Sequence, residues 1–200
     1  MVFAVLFRRF ILVYNHLMHP IAHFKTITKH RHLVLRYCFR LGLYRQGLLH
    51  DLSKYSPVEF WHGAKYYLGY RSPNDAERKA TGQSLAWLHH KGRNRHHFEY
   101  WTDYIVQEDG SISYGGTRMP MRYIAEMFCD RIAASRTYLG DDYTSAAPYE
   151  FFMRSKTRIL IHPETSAQIE EMLRILKDKG EDAAFAFVRK KLQEEKNQNR

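Results

Sequence analysis

The chain has 200 residues, 44% of them hydrophobic, which is ample for a single core of ordinary size. A formal net charge of +10 permits attraction to phosphate-bearing ligands, nucleic acid or an anionic surface, and does not choose among them. The two cysteines, Cys38 and Cys129, stand far apart and lack CxxC spacing, which points away from a cysteine metal site and toward free, buried thiols in a reducing cytoplasm.

Residues 1–18 form an apolar extension or helix. Arg8 and Arg9 interrupt it, and about 20 unbroken apolar residues are needed to cross a bilayer, so no transmembrane segment is expected. A helix follows, capped by Thr26 or Thr28 and stopped by Gly42. Ile27, Val34, Tyr37, Cys38 and Leu41 make its apolar stripe. His30 falls within that stripe, whereas His32 lies with Lys29, Arg36 and Arg40.

GLLHDLSK, residues 47–54, delivers an adjacent His50 and Asp51 with Lys54 three residues on. A neutral imidazole nitrogen beside a hard carboxylate oxygen suits a divalent cation. Ser56-Pro57-Val58-Glu59 is a capping box that opens a helix to about Leu68, in which His62 reads as structural. Asn74–Ala80 reads as a short charged helical turn.

Residues 84–101 carry two His-His pairs around Gly92 and Asn94. Gly92 ends one helix and Asn94 is expected to cap the next. In that second helix His97 shares a face with Trp101, Tyr104 and Ile105, which selects it over His96 as the inward histidine. His89 is preferred over His90 by a similar but narrower argument. Basic and aromatic residues interleave here, so nucleic-acid binding is a second reading of the stretch.

Gln107–Met119 has three glycines and no sustained period, and reads as a loop beside the site. Pro120 starts a long helix to Leu139 whose stripe carries Tyr123, Ile124, Met127 and Phe128. Asp130 adjoins that stripe and needs a metal or an ion-pair partner such as Arg131 or Arg122. Further helices follow over 148–156, 166–179 and 181–193, with Gly180 as a stop and a disordered charged tail. The sequence contains no internal repeat, no nucleotide-binding glycine loop and no GxSxG. The expectation is a single-domain, all-α helical bundle over 19–180, followed by a C-terminal helix and tail over 181–200.

The ordered set His30, His50-Asp51, His89-His90, His96-His97 and Asp130 resembles the HD-domain superfamily of metal-dependent phosphohydrolases. HDLSK is similar to its HD-x-x-K segment. More narrowly, GLLHDLSKYSP, WLHHKGRNRHH, EMFCDRIAAS and IHPET are similar to stretches shared by a bacterial and phage group of short HD-like proteins. The interval from His30 to His50 is shorter than that superfamily's usual one, and His23 would give a longer interval.

The resemblance implies one or two divalent ions (Mn, Fe, Co, Ni, Zn or Mg) and a small phosphorylated substrate such as a nucleotide. It implies His30, His50, Asp51 and Asp130 at one metal, Asp51 bridging to a second, and His89 and His97 completing that second site. Lys54, His90 and His96 would face the substrate as phosphate contacts or proton donor. Asn94 and Arg131 are candidate substrate contacts, Arg131 also as a partner that orients Asp130, and Glu126 is a reserve ligand. Two other classes stay open: an HD-type diiron oxygenase, and a non-enzymatic nucleic-acid or membrane-associated module.

Overall fold

Helical periodicity carries through to the backbone. The computed structural model describes residues 18–198 and is 71% helical with eight helices and one small sheet, so the fold is predominantly all-α as expected. The apolar helix expected over the first 17 residues lies outside the described residues. No helix among the described residues is long and apolar enough to cross a membrane.

Backbone packing divides the chain into two compact units: Met1–Lys29 with Asp51–His90, and His30–His50 with Lys91–Arg200. Helix α1, Pro20–Arg40, starts earlier than its threonine caps suggest, because Pro20 has the fixed φ that suits a first helical residue. Its inward stripe is the expected one, with Ile27, Val34, Cys38 and Leu41 buried and His30 among them. His32 is exposed.

In the His30–His50 and Lys91–Arg200 unit, α2 (Tyr44–Leu49) ends at His50, whose backbone N–H donates to Gln46 O at 2.7 Å. The Arg31 guanidinium fastens this end by donating to His50 O at 2.7 Å and Leu48 O at 3.1 Å. Two later helices supply much of the core, α6 (Met121–Leu139) and α8 (Pro163–Gln198), with α7 (Ala147–Ser155) contributing Phe152. Cys38 and Cys129 are buried there as free thiols. Gly180 (φ 79°, ψ 179°) breaks α8 where the sequence places a stop. The last stretch is helical to Gln198, not a disordered tail, and a Glu195 oxygen accepts the Met121 N–H at 2.8 Å, satisfying a donor at the start of α6.

A β-hairpin replaces the loop expected over Gln107–Met119 and the helix expected after Asn94. Strands β1 (Thr102–Val106) and β2 (Ile112–Gly116) pair antiparallel, from Thr102↔Gly116 to Val106↔Ile112. Tyr104, Ile105, Val106, Ile112 and Tyr114 suit a pleated surface better than a helix. Gly110 (φ 80°) turns the chain between the strands.

In the Met1–Lys29 and Asp51–His90 unit, Asp51 adopts a left-handed φ of 54° at the entry to a 3₁₀ turn, Leu52–Tyr55. The Ser56 side chain then accepts the Glu59 N–H, starting α3 (Pro57–Lys65), which stops before the expected Leu68. Helix α4 (Pro73–Thr81) presents the buried Glu77. Its carboxylate takes His62 Nδ1 and Ser84 Oγ, each at 2.6 Å, which gives His62 its structural partner. Ser84 Oγ accepts the Trp87 N–H at 3.0 Å and so caps α5 (Leu85–Lys91).

Candidate metal centre

Three buried or half-buried donors converge within the unit that holds His30–His50 and Lys91–Arg200. His30 Nε2 lies 3.0 Å from Asp130 Oδ1, and His50 Nε2 lies 3.8 Å from the same oxygen. Ligand atoms of His30, His50 and Asp130 all fall within 4.8 Å of one another. Helical spacing on α1 turns His30 inward, the end of α2 delivers His50, and α6 delivers Asp130. Glu126, one turn before Asp130, lies 2.9 Å from His50 Nδ1 and 3.1 Å from His96 Nδ1, through the same oxygen. His50, His96 and Glu126 form a second buried group whose ligand atoms lie within 4.8 Å of one another.

The electrostatics suit a cation. Burial raises the Asp130 carboxyl's pKa, but the hydrogen bond and charge of His30 and the charges of His96 and His50 outweigh it, holding the group well below the usual range. Burial likewise opposes Glu126 ionisation, and the hydrogen bonds from His50 and His96 win. An ionised Glu126 can only accept, so Nδ1 of both rings must carry the proton. Nε2 of each is then the metal-competent nitrogen. Two imidazole nitrogens and a carboxylate oxygen form a donor set for a first-row divalent ion.

The unit that holds Asp51–His90 carries its own polar chain. Asp51 Oδ2 pairs with Lys54 Nζ at 2.6 Å, and Asp51 Oδ1 lies 3.3 Å from His90 Nε2. His90 Nδ1 lies 2.7 Å from one Glu59 oxygen, and His89 Nδ1 lies 2.6 Å from the other. Burial lowers the His90 pKa, but Asp51 and Glu59 outweigh that and raise it. Burial raises that of Glu59, and the bonds from His90, His89 and Ser53 overcome it.

Of the expected metal ligands in the unit that holds His30–His50 and Lys91–Arg200, the structure brings together His30, His50 and Asp130, and His97 offers a ligand atom within 4.8 Å of one on His96. Asp51 directly follows His50 in the chain and carries Lys54 and His90 on its two oxygens. It is His90, buried, that lies against Asp51, whereas the half-buried His89 turns to Glu59. His96 is buried and bonded to Glu126, and His97, half-buried, packs its ring 4.1 Å from that of His96. The expected helix face of His97 does not form, because the residues after Asn94 make the 3₁₀ turn Phe98–Tyr100, with His97 at its start, and then strand β1. Asn94 is buried and its carbonyl accepts the His97 N–H at 3.1 Å, so it sits in a turn and caps no second α-helix. Arg131 lies over the Phe152 ring, 5.0 Å from its centroid.

Sequence reasoning missed Glu59 as a member of this polar chain. The capping box accounted for it, but only Ser56 bonds back to the helix; the Glu59 carboxylate goes to the two histidines.

Residues 19–175 match a family of unknown function, DUF5662. The chain belongs to this family. The match spans His30 through Asp130, so the DUF5662 region takes in every residue of both polar groups. No curated protein and no solved structure matches the chain.

Proposed function

We infer that this DUF5662 protein is a metal-dependent hydrolase of a phosphate ester, related to the HD-domain superfamily. The observation that carries the reading is that His30 Nε2 and His50 Nε2 lie 3.0 and 3.8 Å from Asp130 Oδ1, with one ligand atom from each of the three residues within 4.8 Å of the others. It matches, residue for residue, three positions that the resemblance assigns to a metal.

A divalent ion held there would lower the pKa of a water and neutralise charge on phosphoryl oxygens. The chain's own residues would act as follows. His30 and His50 hold the cation through Nε2, with Asp130 as the anionic donor. Glu126 fixes the rings of His50 and His96 by accepting from Nδ1, so neither has to reorient. In the unit that holds Asp51–His90, His90 lies between Asp51 and Glu59, each of its ring nitrogens facing a carboxylate.

The test is release of inorganic phosphate, or of the leaving alcohol, from a panel of nucleotides, phosphomonoesters and phosphodiesters. It would be run with added divalent metal and again with chelator. Turnover that needs metal and is lost in Asp130→Asn supports the reading. A metal-loaded protein that hydrolyses no member of the panel contradicts it.

A further inference from the structure

Arg131 follows Asp130 on α6, and its environment is unusual for a guanidinium. Its Nε is buried without a hydrogen-bond partner among the described residues. One terminal nitrogen reaches only Met127 Sδ, at 4.0 Å, and the group lies over the Phe152 ring. A thioether is a weak acceptor, and an aromatic face offsets only a small part of the cost of taking a charge out of water. Asp130 itself is engaged by His30 at 3.0 Å. The residue is not sealed, since part of its surface remains accessible.

A planar fork of donors in a desolvated setting is complementary to an oxyanion with two oxygens side by side. We propose that Arg131 is the anion-binding residue of this protein and that its ligand is a phosphoryl group, as free phosphate or on an ester. The proposal rests on the hydrolase reading for its choice of phosphate, and on the guanidinium's surroundings for the site itself. In that reading Asp130 and Arg131, consecutive on one helix, divide the labour: the carboxylate binds the cation and the guanidinium binds the anion.

Inorganic phosphate is the probe, titrated calorimetrically into the full chain, with metal content measured on the same samples. Wild type is expected to bind at millimolar phosphate or below, and Arg131→Met to lose at least about tenfold in affinity. Arg131→Met without phosphate is expected to melt no lower than wild type, because it removes a desolvated charge that has no ion-pair partner among the described residues. Should Arg131→Met fail to fold, Arg131→Lys is read instead. It keeps the charge but loses the fork, and weaker binding than wild type supports the site. Wild-type affinity in whichever variant is read, or no phosphate binding by wild type, overturns the proposal. Phosphate held through Arg131 by a chain that takes up no metal would sink the hydrolase reading and leave the anion site standing. Metal uptake with phosphate binding indifferent to Arg131 would do the reverse.

Discussion

His50 Nδ1 lies 2.9 Å from a carboxylate oxygen of Glu126, and that bond leaves Nε2 as the ring nitrogen with a lone pair to offer a metal. Because the same oxygen also receives His96, Glu126 orients two rings at once. Glu126→Gln keeps the shape and removes the charge. Metal affinity is expected to fall by about 10–100-fold, measured by competition with a chelator. Unchanged affinity would show that His50 is held by packing alone.

Gly63 is set by His23. A Cβ at Gly63 would lie 2.2 Å from His23 Nε2 and 2.5 Å from its Cε1, inside α3 where alanine is normally favoured. The helix preference for alanine is about 1 kcal/mol, and overpacking costs about 1–3 kcal/mol. Gly63→Ala is therefore expected to lower the urea midpoint, and a second change, His23→Ala, to remove most of that penalty. A Gly63→Ala protein more stable than wild type would contradict the packing.

His23 also gives stability a pH signature. Burial, with a smaller contribution from the Lys54 charge, lowers its pKa from 6.5 to about 4. Above the higher value both folded and unfolded states are neutral at this residue. As pH falls through the window only the unfolded chain takes the proton, so stability drops, by about 3 kcal/mol at most, and levels off below the lower value. His90, whose pKa is raised, contributes with the opposite sign, so comparison with a variant isolates His23. His23→Gln should show a shallower loss of stability between pH 6.5 and pH 4. Parallel curves for the two proteins would contradict this.

The hairpin offers a paired comparison. A Cβ at Gly116 would meet the backbone N of His162 at 2.5 Å, whereas at Gly115 the nearest atom is the flexible end of Ile105, Cδ1 at 2.8 Å. Side-chain ends can swing away and backbone cannot, so Gly116→Ala should lower the melting temperature clearly more than Gly115→Ala. Equal shifts would mean that β2 does not approach the chain before α8 as closely as the structure places it.

Much of this was legible in the sequence because helical period is a strong signal. The stripe through Ile27, Val34 and Cys38 selected His30 over His32, and the stripe of α6 carried Asp130 beside it. Gly180 marked the break in α8. The misses have physical reasons. Residues 94–105 hold aromatics at spacings that fit a helix, yet Tyr104 and Ile105 are equally good strand formers, and pairing with Ile112–Gly116 decided the outcome. Helix α5 has only seven residues, too short for periodicity to separate His89 from His90. Glu59 stood where a capping box needs a carboxylate, so nothing local pointed to its two histidine partners.

The most direct test of the account is the metal content of the untagged full chain, wild type against Asp130→Asn, as purified and after titration with divalent ions. Asparagine preserves the shape on α6 and removes the anionic donor that His30 and His50 approach. The account predicts a divalent ion in the wild type, or taken up stoichiometrically, and its loss from the variant. No metal in the wild type under either condition, or equal loading of the two proteins, would contradict it.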